Sequence, residues 1–101
     1  MSGSEVEETL KRINGHKGVL GTIIVNSTGV VIRTTFEAER ASKIAGALWS
    51  NVGRAMSSVR ELDPTDCAKC LRIRTEKLEY MIVPEADFGL IVLQQPNAGD
   101  E

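Results

Sequence analysis

Residues 38–62 read AERASKIAGALWSNVGRAMSSVREL, and the reading of this stretch decides the fold. It holds no proline. Ala41, Ala45, Leu48, Val52, Ala55, Val59 and Leu62 recur in alternating steps of four and three, the spacing of one helix face. A second stripe, Ala38, Ser42, Gly46, Trp49, Gly53 and Met56, lies beside the first. At about 100° per residue the two together span roughly half the circumference, with Arg40, Lys43, Ser50, Arg54, Ser57 and Glu61 opposite. A surface helix needs an apolar arc only a little over ~100° wide to sit on one core. The excess predicts two contacts: the first stripe on this chain's own sheet, the second on a helix of a second copy. The alternative is a helix lying in a groove between two elements of one chain. Trp49 and Met56 read as interface anchors, residue types enriched at such sites, against the plainer reading as intramolecular core. Gly46 and Gly53 each cost a helix interior ~0.5–1 kcal/mol relative to alanine. Close approach of a facing backbone, or room for a facing tryptophan, would offset that.

Before this helix, Ser4-Glu5-Val6-Glu7 fits a capping box and opens a short helix with a thin apolar stripe, Val6, Leu10 and Ile13. Asn14-Gly15 reads as its left-handed cap. Val19 to Asn26 is a near-continuous apolar run, a strand buried on both faces. Asn26-Ser27-Thr28-Gly29 turns, and Val30 to Thr35 returns as the second strand of a hairpin. After the long helix, Asp63-Pro64 forces a stop. Three strands follow: Cys70–Arg74, Leu78–Val83, ended by Pro84, and the again doubly apolar Phe88–Gln94, separated by turns at 75–77 and 85–87. Short links imply antiparallel pairing. The expectation is a single α+β domain over residues 1–101, frayed at 1–3 and 97–101. Its five-stranded antiparallel sheet has the order 2-1-5-4-3, because the two most apolar strands belong together in the middle.

Composition bounds the function. The chain has 101 residues, 42% hydrophobic, and a formal net charge of −2. No basic stripe marks a nucleic-acid surface. No apolar run approaches the ~20 residues that span a membrane, and the N-terminus has no signal-peptide pattern. A cytosolic protein is the default expectation.

Little in the chain can carry chemistry. Cys67-x-x-Cys70 opens a strand rather than a helix, and zinc would need two more ligands where His16 is the lone histidine. Ordinary free thiols are the simpler reading. His16 reads as a solvated loop residue. Gly15, Gly18 and Gly21 lack the strand before and the Gly-Lys-Ser/Thr after that a phosphate loop requires, so they read as turn glycines. Asp63, Asp66, Glu85 and Asp87 read as caps and turn residues. No catalytic, cofactor or metal constellation is expected.

Several stretches resemble one family. Glu5-Val6-Glu7-Glu8-Thr9-Leu10-Lys11-Arg12-Ile13 with Lys17-Gly18-Val19 resembles the opening of the roadblock-type dynein light chains. So do Ser58-Val59-Arg60-Glu61-Leu62-Asp63-Pro64, then Leu71-Arg72-Ile73-Arg74-Thr75-Glu76-Lys77-Leu78-Glu79, and the ending Leu90-Ile91-Val92-Leu93-Gln94-Gln95-Pro96. The stretches run in order through nearly the whole chain. The Gly46/Trp49/Gly53 pattern and the Cys67/Cys70 pair stand outside them. The resemblance implies a non-catalytic motor light chain of the cytoplasm and cytoskeleton, or of the ciliary axoneme, that binds the dynein intermediate chain. It also implies a homodimer, or a mixed dimer with a related light chain, in which the long helices pair and the third strands join two sheets into one ten-stranded sheet. With the stripe reading, this makes Ser42, Gly46, Trp49, Gly53, Met56, Cys70, Leu71, Arg72 and Ile73 the dimer residues. A count of layers places the partner on the sheet face thinly covered by the first helix, through Val6, Leu10, Ile13, Ile91 and Leu93. The alternative that the fold implies is a scaffold regulating a small GTPase, the role of other roadblock-fold proteins in bacteria and in lysosomal signalling complexes.

Overall fold

The computed structural model describes residues 3–96. The elements are α1 (Gly3–Asn14), β1 (Val19–Asn26), β2 (Val31–Thr34), α2 (Ala38–Leu62), β3 (Leu71–Arg74), β4 (Glu79–Pro84) and β5 (Phe88–Gln94). All five strands join one antiparallel sheet in the order β2-β1-β5-β4-β3, as the apolar runs require. α1 already begins at Gly3, so Ser4 lies inside the helix rather than at its cap. Of the termini expected to fray, Gly3 is assigned to α1, and the remaining positions lie outside the described residues.

β1 and β5 sit at the centre because alternate side chains of each are apolar on both faces. Ile23, Val25, Ile91 and Leu93 point to one side, where they meet Ala41, Ala45 and Val52 of α2 and Ile82 of β4. Ile24, Leu90 and Val92 point to the other and meet Leu10 of α1. A fully buried strand pair needs a layer on each face, and the two helices supply them. α2 ends where its backbone is turned out: the Asp63 amide donates to Val59 O at 3.0 Å, and Asp63 Oδ1 accepts from the Thr65 amide at 3.0 Å and its hydroxyl at 2.7 Å. The Thr65 hydroxyl, and then its amide, hold the Asp63 carboxyl below the usual carboxylate range.

Trp49 departs from expectation. Its indole lies on this chain's own sheet, against Gly29 in the β1–β2 turn and Gly89 at the start of β5. Gly29 has φ +91°, a turn conformation that suits glycine, and a Cβ there would also lie 2.6 Å from the indole. A Cβ at Gly89 would overlap the ring outright. Met56 likewise packs against the α2-side core. Trp49 and Met56 are therefore not free anchors for a partner, and the inward arc of α2 is wider than one heptad stripe because a bulky indole reaches over two glycines. Leu62, assigned to the sheet-facing stripe, is 89% exposed, since the helix has by then run past the strands. Gly46 and Gly53 do face away, with nothing within 4 Å of a Cβ at either.

Two local expectations also change. The left-handed glycine after α1 is Gly18 (φ 86°), not Gly15. Gly15 instead continues the helical pattern, its amide donating to Lys11 O at 3.1 Å. The cysteine pair lies in the coil ahead of β3 rather than opening the strand, and both thiols are free.

Glycine substitutions test this placement. Gly89→Ala should lose about 1–3 kcal/mol by forcing the indole off the sheet. Gly53→Ala should gain about 0.5–1 kcal/mol, because its Cβ meets nothing and the helix interior favours alanine. Denaturant midpoints read both, and an unaffected Gly89→Ala protein would contradict the Trp49 seat.

Candidate protein-docking surfaces

Among the described residues no group of three or more His, Cys, Asp or Glu side chains is placed to hold a metal. No described helix is long and apolar enough to cross a membrane. His16 is exposed in the α1–β1 link. The features left to carry function are surfaces, and two stand out.

The first lies between α2 and the β3–β4 hairpin. Ile44, Ala47 and Leu48 on one flank of α2 face Ile73 and Tyr80 across an open groove of about 360 Å³. Exposed Arg40 and Lys43 also line it, and the Arg40 guanidinium stacks 4.8 Å from the Phe36 ring centroid. This flank was not singled out in the sequence: Ile44 falls in neither stripe and Tyr80 is remote in the chain. The groove runs beside β3, the outermost strand on that side. Leu71 and Ile73 point toward α2 and stay half-buried, while Arg72 is exposed.

The second is the sheet face that carries α1. α1 lies along β1, and Glu7 forms an ion pair with Arg33 of β2. On the same face, Met81 and Val83 of β4 are only half-buried, whereas Ile82 on the opposite face is fully buried. Beside them runs a polar string. Glu79 Oε1 accepts from Gln94 Nε2 at 2.9 Å and lies 3.3 Å from Arg72 Nη1, so this largely buried carboxylate is satisfied. The Arg72 guanidinium also reaches Met81 Sδ at 3.7 Å. A partly apolar floor with a cationic margin is thus left beside α1.

The expected site residues divide accordingly. Ser42, Gly46 and Gly53 are exposed on the flank of α2 away from the groove. Cys70, Leu71, Arg72 and Ile73 lie at the free edge, Cys70 just before the strand. Val6 and Ile13 are half-buried at the α1 margin. Leu10 is buried and holds α1 down. Ile91 and Leu93 are not on the α1 face at all: they are fully buried beneath α2, because the strand alternates and Leu90 and Val92 take the other side. They cannot touch a partner.

A family model described as the Roadblock/LC7 domain matches residues 5–95. A Roadblock/LC7 domain from Streptomyces avermitilis superposes with a TM-score of 0.75 at 9% identity, covering 82% of this chain and 71% of that one. MglB of Myxococcus xanthus gives 0.75 at 13% identity over 97% of this chain and 81% of that one. The gliding protein MglB of Thermus thermophilus gives 0.76 at 12% identity over 97% and 78%. These three are bacterial, and at such identities the likeness is one of fold.

Core and surface assignments separate under mutation. Ile91→Ala should cost about 2–5 kcal/mol, the range for a buried aliphatic cut to alanine. Val83→Ala should cost within about 1 kcal/mol. Urea unfolding with an unchanged m-value reads the difference; equally small losses would place Ile91 at a surface after all.

Proposed function

The chain belongs to the Roadblock/LC7 domain family, and from that premise we propose that it is a non-catalytic scaffold that works as a dimer and binds another protein. The observation that carries the dimer is the groove beside a free edge. β3 presents an unpaired strand edge, which natural sheets cover or blunt. A second copy joined edge to edge about a two-fold axis satisfies both edges at once and brings the two grooves together. The seam then takes Cys70, Leu71, Arg72 and Ile73 from the edge and Ile44, Ala47 and Leu48 from α2. Ser42, Gly46 and Gly53 lie on the other flank of the helix, and Trp49 and Met56 serve the core.

For the partner, the leading reading is the dynein intermediate chain, with this protein a light chain in the tail of that motor. Its support is the collinear resemblance of the stretches at 5–19, 58–64, 71–79 and 90–96 to the roadblock-type dynein light chains. The docking face in this reading is the floor beside α1, where Val6, Ile13, Met81 and Val83 offer apolar surface to an amphipathic segment. Two such floors on a dimer favour bivalent capture. The comparisons lean toward a second reading, regulation of a small GTPase, because the similar solved structures are bacterial and include gliding proteins. A cytoplasmic and cytoskeletal, or axonemal, location goes with the first reading.

Sedimentation and pull-down test the proposal together. Leu48→Glu or Ile44→Glu should give a monomer with near-native circular dichroism, and Gly53→Ala should remain dimeric. A Leu48→Glu protein that still sediments as a dimer would place the seam elsewhere. Purified protein should retain a dynein intermediate-chain segment. Retention of a small GTPase in its place would decide for the second reading.

A further inference from the structure

We propose that Asn14–Gly15 is a site of spontaneous deamidation, held closed by the docked α1 helix and opened when that helix lifts. Four asparagines occur in the sequence, and Asn14 alone precedes glycine. Glycine offers no side chain to shield its own amide nitrogen, the nucleophile of the reaction. That nitrogen gives up its proton and bonds to Cγ of Asn14. The Cγ–Nδ2 bond breaks and Nδ2 leaves as ammonia. The five-membered succinimide left behind adds one water across either imide C–N bond. The products are aspartate or isoaspartate at this position, and water is the only co-reactant.

The folded chain opposes the first step. The Gly15 amide donates to Lys11 O at 3.1 Å, so its nitrogen is engaged, and Asn14 is the last residue of α1. Helical backbone at Asn14 turns the next nitrogen away from the residue's own Cγ. The carboxamide itself is loosely held. Its contacts with Thr22 Oγ1 are 3.4 Å from Nδ2 and 3.5 Å to Oδ1, at the limit of a hydrogen bond. Asn26 differs: its Oδ1 accepts from the Thr28 amide at 3.0 Å, the Thr28 hydroxyl at 2.7 Å and the Val30 amide at 3.0 Å. Asn51 donates to Ala47 O at 3.2 Å inside the long α2. Protection at Asn14 therefore rests on the last turn of α1, a 12-residue helix held by the narrow stripe Val6, Leu10 and Ile13. Short helices on thin faces open locally at low cost.

The product reinforces the opening. A carboxylate at the C-terminal end of α1 opposes the helix dipole, and it faces Thr22, which is fully buried. Isoaspartate also inserts a methylene into the backbone at the α1–β1 junction. Either change loosens α1 from Ile24, Leu90 and Val92. The chemistry stands whichever partner the protein binds.

Incubation at neutral pH followed by peptide mapping and isoaspartate detection tests this. Native protein should convert at Asn14 more slowly than urea-unfolded protein by roughly tenfold or more, the ratio reporting local opening. Leu10→Ala, which weakens the hold on α1, should fall between the two, and Val6→Ala serves if that variant does not fold. Gly15→Ala should suppress the reaction; its φ is not positive, but its Cβ would press on Lys11 O at 3.3 Å, so circular dichroism accompanies the mapping to check that the last turn of α1 is kept. Equal rates in native and unfolded protein overturn the proposal. So does conversion that begins at Asn26 or Asn51.

Discussion

Everything in this molecule depends on the pairing of β1 with β5. The two strands run antiparallel from Val19↔Gln94 to Asn26↔Phe88, and between them they bury Ile23, Ile24, Val25, Ile91, Val92 and Leu93 almost completely. A strand pair that is apolar on both faces cannot stand at an edge or under a single layer. It demands a neighbour on each side and a helix on each face. The neighbours are β2 and β4, reached by short turns. The long helix α2 covers one face, and the 12-residue α1 gives the other a thinner layer. The asymmetry of the two layers follows from helix length, and it leaves Met81, Val83 and Phe88 half-buried.

Trp49 shows how the thick layer is fastened. An indole is too large to fit among the alanines that bring α2 close to the sheet, Ala41 and Ala45. It is accommodated because the two positions beneath it, Gly29 and Gly89, have no Cβ. One residue thereby ties the β1–β2 turn, the start of β5 and the middle of α2. A similar device works near the N-terminal end of α2, where the Phe36 ring lies on Gly21 of β1. Glycines that look like weak points of the strands are sockets for aromatic rings.

The topology was legible in the sequence because hydrophobic periodicity reports it directly. Strand and helix bounds for β1, α2 and β5 agree with the structure to the residue, and the order 2-1-5-4-3 follows from which runs are doubly apolar. The faces of α2 were less legible. A helical wheel treats Trp49 and Gly46 as neighbours on one stripe, yet the tryptophan reaches inward over Gly89 while Gly46 faces open space. Period alone cannot show this, because the reach of a side chain depends on what lies beneath it, and Gly29 and Gly89 are far away in the chain. The same limit hid Tyr80 opposite Leu48. For Ile91 and Leu93 the error was of parity: a doubly apolar strand does not reveal which alternate set faces which helix. Leu10 shares its stripe with Val6 and Ile13, and only its depth over Ile24, Leu90 and Val92 makes it core rather than contact surface.

The two edges of the sheet are not equivalent, and the difference bears on how copies would meet. Along β2 the pairing with β1 shifts register between Ile24 and Val25, and Val30 and Ile32 stand 61% exposed beside it. An irregularity of this kind twists an edge and spoils the even ladder that another strand needs. β2 is further tied to α1 through Arg33 and Glu7. β3 pairs with β4 in unbroken register, from Leu71↔Ile82 to Arg74↔Glu79. Its outer side is a regular edge, flanked on one face by the apolar groove against α2 and on the other by Arg72. A regular edge with apolar cover on one face can add a strand without rearrangement, whereas the bulged edge would first have to straighten. Exposed Val30, just ahead of β2, and Ile32 within it are therefore the weaker invitation, although they are the more apolar by composition.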